Sequence, residues 1–138
     1  MSSEAEPWQP LLDALSHLRS AWPASDWSWD HRFKCVSSSL EATVAPSLKE
    51  ILAPLVPSVW TLESFAQAPN DVLALRERCG DLRPGQLLFT GSAVAGMMPF
   101  ALWWPWGDAS KLSVRLGIAN SDRPKDLYPA LRALFGIA

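Results

Sequence analysis

The residues able to carry proton transfer, nucleophilic attack or metal ligation are few. Two histidines, His17 and His31, two cysteines, Cys35 and Cys79, and the carboxylates Asp26 and Asp30 are the ones to weigh. Asp30 and His31 are consecutive in a stretch of period two, which sends them to opposite faces of a strand and separates them as an acid–base pair. His31 falls on the apolar face, where a neutral, hydrogen-bonded core histidine is expected. His17 falls on the polar side of a helix. No set of His, Cys and carboxylate residues has the spacing of a zinc site. Nucleophilic catalysis needs a Ser or Cys with a base in reach, and neither a Gly-x-Ser-x-Gly elbow nor a Cys–His signature occurs. Residues 91–96, Gly-Ser-Ala-Val-Ala-Gly, have the look of a phosphate-binding loop. They lack the Lys-Ser or Lys-Thr that would hold phosphate and Mg²⁺, and Met97-Met98-Pro99 does not open a helix, so a small-residue connection is expected. These tests point away from an enzyme and imply no cofactor and no metal.

The eight tryptophans are the remaining chemical feature. Residues 99–107, Pro-Phe-Ala-Leu-Trp-Trp-Pro-Trp-Gly, place Phe100, Leu102 and Trp104 on one strand face and Ala101 and Trp103 on the other. One reading is a central strand covered on both sides. The functional reading is an aromatic hairpin whose Trp103 and Trp106, with Met98, stay exposed as interface anchors, since rigid rings desolvate much area at little entropic cost. The polar strand face of Asp30, Arg32 and Lys34 offers a second patch. The chain then acts as a small non-enzymatic binding module, of adaptor, accessory chaperone-like or immunity type, whose partner is another protein or a second copy of itself. The alternative is a small-molecule-binding or catalytic domain with a Trp-lined pocket, dressed with Asp30, His31 or Arg115.

The elements that must position these residues follow from periodicity. Trp8, Leu11, Leu12, Leu15, Leu18 and Trp22 recur at helical spacing from Pro7 until Pro23 ends the run. Residues 27–36 alternate, with Trp27, Trp29, His31, Phe33 and Cys35 on one face, and read as one amphipathic strand. Further helices are expected over 46–53, over 70–79 with Asn70 as N-cap and Gly80 as the C-terminal stop, and over 124–135. Residues 59–62 are a short strand or a turn. Strands are expected over 86–90, 99–104 and 111–119, the last two joined by the turn Pro105-Trp106-Gly107-Asp108. The predicted fold is α+β, a largely antiparallel sheet of about four strands with helices packed on one face, in a single domain spanning residues 1–138.

Composition narrows the function classes. The 138 residues carry twelve basic and fourteen acidic side chains, a formal net charge of −2, and no block of like charge. A nucleic-acid binder would need a clustered Lys/Arg footprint, so that class is set aside. Residues 1–6 contain two acids and no base, unlike the start of a signal peptide. The apolar run 93–106 is interrupted by Gly96, Pro99 and Pro105 and falls short of the roughly 20 residues a membrane span needs. Lys and Arg do not flank it as they would at a membrane interface. A soluble, cytoplasmic protein with two reduced, buried cysteines is expected.

Overall fold

A computed structural model describes residues 6–137; most of the acidic N-terminal stretch lies outside the described residues. The apolar residues at period 3.6 over 11–18, and Leu112, Val114, Leu116 and Ile118 at period two, are buried as those spacings require. Helix α1 (Gln9–Ala21) buries Leu11, Leu12, Leu15 and Leu18, and Trp8 and Trp22 are buried at its two ends. Strands β1 (Ser28–Asp30) and β2 (Cys35–Glu41) follow, then a 3-10 turn and α2 (Ala45–Leu52). Next come β3 (Ser58–Trp60), a second 3-10 turn at Phe65–Gln67, α3 (Asn70–Leu73) and α4 (Leu75–Cys79). The chain ends with β4 (Leu87–Thr90), β5 (Met98–Pro105), β6 (Lys111–Ala119) and α5 (Pro124–Leu134).

The strands form one antiparallel sheet in the order β1-β2-β6-β5-β4-β3. It has six strands rather than about four. Residues 58–60 pair with β4, and the stretch 27–36 is not one strand but β1, a turn, and the start of β2. Because side chains alternate across a sheet, the core divides in two. One cluster joins Val36, Phe89, Ala101, Trp103, Val114 and Leu116 to the leucines of α1, α2 and α5. The other joins Cys35, Leu88, Met98, Phe100 and Leu102 to Phe65, Val72, Leu75 and Cys79. Buried helical residues therefore lie on both sides of the sheet.

That arrangement explains the aromatic strand. Phe100 and Leu102 point to one cluster and Trp103 to the other, as in a central strand buried on both faces. Gly117, opposite Phe100, leaves room for that ring, since a Cβ there would come within 2.7 Å of it. Gly91 opens the 91–96 connection for a similar reason: a Cβ there would lie 2.0 Å from the Leu55 carbonyl oxygen. The glycine is set by close packing of two backbones.

The helix expected over 70–79 is interrupted at Ala74, where the Glu77 N–H reaches back only three residues to the Ala74 carbonyl. Pro69, not Asn70, is the N-cap. Gly80 closes α4 at φ +80, its N–H bonded to the Arg76 carbonyl.

Candidate functional site

The β1–β2 connection is built around Asp30. Its Oδ1 accepts the N–H groups of Arg32 and Phe33, both at 2.9 Å, a side-chain mimic of a backbone turn. The Lys34 N–H closes on the Asp30 carbonyl at 2.8 Å, with Lys34 in the left-handed region at φ 56. The turn is pinned from α4 by Arg78. Its Nε donates to the Phe33 carbonyl (2.8 Å), its Nη2 to that of Lys34 (2.7 Å) and its Nη1 to that of Ile118 (3.2 Å).

Held this way, Phe33 folds onto the face of the sheet that carries Cys35, Phe100 and Leu102. It meets Trp104 edge-on, with ring centroids 5.3 Å apart. The Arg115 guanidinium lies 4.6 Å over Trp104 and 5.8 Å from Phe33, and its Nε donates to Asp30 Oδ2 at 2.8 Å. Burial pushes the Asp30 carboxyl up, but the Phe33 N–H, the bond to and charge of Arg115, and the Arg32 N–H outweigh it and hold the group below its ordinary value. Two donors in this cluster, Arg115 Nη1 and Trp104 Nε1, are buried without an acceptor among the described residues.

On one side of the cluster a cavity of about 500 Å³ opens between the β1–β2 turn and residues 79–86, with Arg32, Phe33, Arg83, Gln86 and Trp104 among its walls. On the other side the sheet face changes character. Directly opposed residues share a face, so the register sets Ser28, Ser37 and Arg115 in one row and Ser39, Ser113 and Trp104 in the next. Ser39 and Ser113 hydroxyls are 3.4 Å apart. Trp106 stands at the margin, its indole N–H donating to Ser113 Oγ at 2.9 Å and the Lys111 ammonium 5.6 Å from its ring. A hydroxyl floor replaces the apolar one.

The residues expected to meet a partner are thus dispersed. Met98 is 2% exposed and Trp103 5%, in opposite core clusters, so neither presents a surface; each sits on a mid-sheet strand with apolar neighbours on its own face. Trp106 is 46% exposed, because it follows the last residue of β5 and lies beyond the reach of either cluster. Asp30 is half-buried in its ion pair, and Arg32 and Lys34 are exposed on the turn. His31, expected in the core, is exposed at the same turn, since the chain leaves the sheet after Asp30. The sequence offered Arg115 only as a polar group of a Trp-lined pocket and Trp104 only as part of the aromatic strand, and the serines 37, 39 and 113 were not singled out as a surface. Their signal was the Ser-Ser-Ser run inside a strand and an Arg alternating with apolar residues.

Cys35 and Cys79 are free and buried, their thiols raised by burial to about 12 and about 11. Among the described residues, neither His17 nor His31 is hydrogen-bonded to a hydroxyl or thiol, and no group of three His, Cys, Asp or Glu is placed to hold a metal ion. Among the same residues no helix is long and apolar enough to cross a membrane. Comparison with protein-family models, curated proteins and solved structures finds no match to the chain.

Proposed function

We propose that the protein is a binding module that docks a protein partner on the hydroxyl-lined face of β1, β2 and β6, with Trp106 as its anchor. The observation that carries this reading is the exposed Trp106 ring fixed through its N–H to Ser113, at the edge of a floor made by Ser28, Ser37, Ser39 and Ser113. A rigid aromatic beside small hydroxyls is the composition of antibody paratopes, where the ring supplies area at low entropic cost and the hydroxyls adapt their hydrogen bonds. The charges bordering the floor are internally matched, Asp30 with Arg115 and Glu41 with Lys111. The partner that fits is therefore a neutral, hydrogen-bonding protein surface, held with little dependence on salt.

The test is affinity capture with the wild-type chain, Trp106→Ala and Ser39→Lys, each first shown to be folded at the capture conditions by a cooperative denaturant transition. One protein retained by the wild type and lost by both variants, with capture unchanged by added salt, supports the reading. Equal capture by all three overturns it. A concentration-dependent dimer lost in Trp106→Ala would make the occupant a second copy and overturn the assignment to a different protein.

A further inference from the structure

The cavity beside Phe33 makes no use of the hydroxyl floor, and its walls have their own chemistry. It is about 500 Å³, the size of small-molecule sites. Most of its polar side chains are donors. Arg32 and Arg83 bring two guanidinium groups that form no ion pair among the described residues. The one carboxylate in the wall, Asp81, is already paired with Arg76. Gln86 Oε1 accepts the Arg83 backbone N–H at 2.9 Å, which leaves the amide nitrogen to donate. Trp104 adds its half-buried ring to the wall. Arg32 lies 5.0 Å from the Phe33 ring, and Phe33 and Trp104 meet at 87°, so aromatic surface adjoins the cationic groups.

From this excess of donors over acceptors, beside two rings, we infer that the cavity binds a small organic carboxylate. Its anionic end is taken by Arg32 and Arg83 and its flat apolar body rests against Phe33 and Trp104. Planar guanidinium groups suit a carboxylate, whose oxygens accept two parallel N–H bonds. A neutral ligand would leave both arginines unmatched, and a bare inorganic anion would leave the rings unused.

Benzoate is the probe, with benzamide as its neutral counterpart and inorganic phosphate as an anion without a ring. The full-length, isotope-labelled chain reports through its indole N–H resonances, that of Trp104 being assigned by its loss in Trp104→Phe. Benzoate is expected to shift the Trp104 resonance saturably. Arg32→Gln combined with Arg83→Gln, both exposed positions, should weaken binding by about tenfold or more with the remaining spectrum unchanged. Benzamide and phosphate should each bind more weakly by a similar factor. No saturable shift with benzoate overturns the inference, as does equal binding of benzamide or phosphate, or full affinity in the double variant. Trp106→Ala leaves this cavity intact, so failure here and failure of the partner-docking reading are separate results.

Discussion

Asp30 and Arg115, 85 residues apart in sequence, are joined by a 2.8 Å bond from Arg115 Nε to Asp30 Oδ2 that ties the β1–β2 turn to β6. The other carboxylate oxygen holds the turn itself, so one side chain sets both local and tertiary structure. Replacing Asp30 with Ala removes both and leaves a largely buried guanidinium without its partner. A loss of roughly 2–3 kcal/mol is expected, the scale of charged hydrogen bonds, read from urea unfolding at neutral pH. Asp30→Asn can keep the Oδ1 bonds to the turn and should lose less.

The same group makes acid sensitivity specific. Because the folded carboxyl sits below its ordinary value of 3.8, the stability it contributes is fully present above that value and is lost as pH falls through the lower folded one. The gap between wild type and Asp30→Asn should stay constant near neutrality and narrow below about pH 4. A gap of constant size into strong acid would show that the ionised form carries no advantage.

The thiols act at the other end of the scale. Burial raises Cys35 to about 12, so the folded chain keeps its proton while an unfolded chain releases it near 9.0. The unfolded state then binds fewer protons, and stability falls as pH climbs above 9.0. Cys35→Ala lacks this contribution, and its deficit relative to wild type should shrink over that range. At neutral pH, thiol reagents should label neither Cys35 nor Cys79 until denaturant is added.

The two tryptophans first paired as anchors should separate cleanly on truncation. Trp103, buried against Phe89 and beneath Lys49, should cost about 3–5 kcal/mol as Ala. Trp106→Ala should cost about 1 kcal/mol or less, since its ring is half exposed and its bond to Ser113 lies at the surface. Comparable losses at both positions would place Trp106 in the core.

Gly91 and Gly107 make a matched pair of backbone tests. Gly91→Ala drives a methyl into the Leu55 carbonyl and should destabilise by at least about 1–3 kcal/mol, the cost of overpacking. Gly107→Ala meets nothing within 4 Å and should leave the unfolding midpoint nearly unchanged.

Periodicity alone determined much of the fold. The leucine stripe of α1 and the alternation of Leu112, Val114, Leu116 and Ile118 in β6 declare their elements by spacing, and the Pro-Trp-Gly-Asp run between β5 and β6 declares its turn by residue type. The β1–β2 hairpin was not legible, since Asp-His-Arg-Phe-Lys carries no Gly or Pro and its odd-numbered apolar residues mimic one continuous strand. In the fold those residues divide, Trp27 and Trp29 packing with one cluster and Phe33 and Cys35 with the other. Only the tertiary structure decided which tryptophans are exposed, because exposure depends on strand order: β5 is central, so its Met98 and Trp103 are covered from both sides while Trp106, one residue past its end, is not. The cluster of Asp30, Phe33, Trp104 and Arg115 likewise joins β1, a turn, β5 and β6, a meeting that antiparallel pairing produces and that spacing along the chain cannot encode.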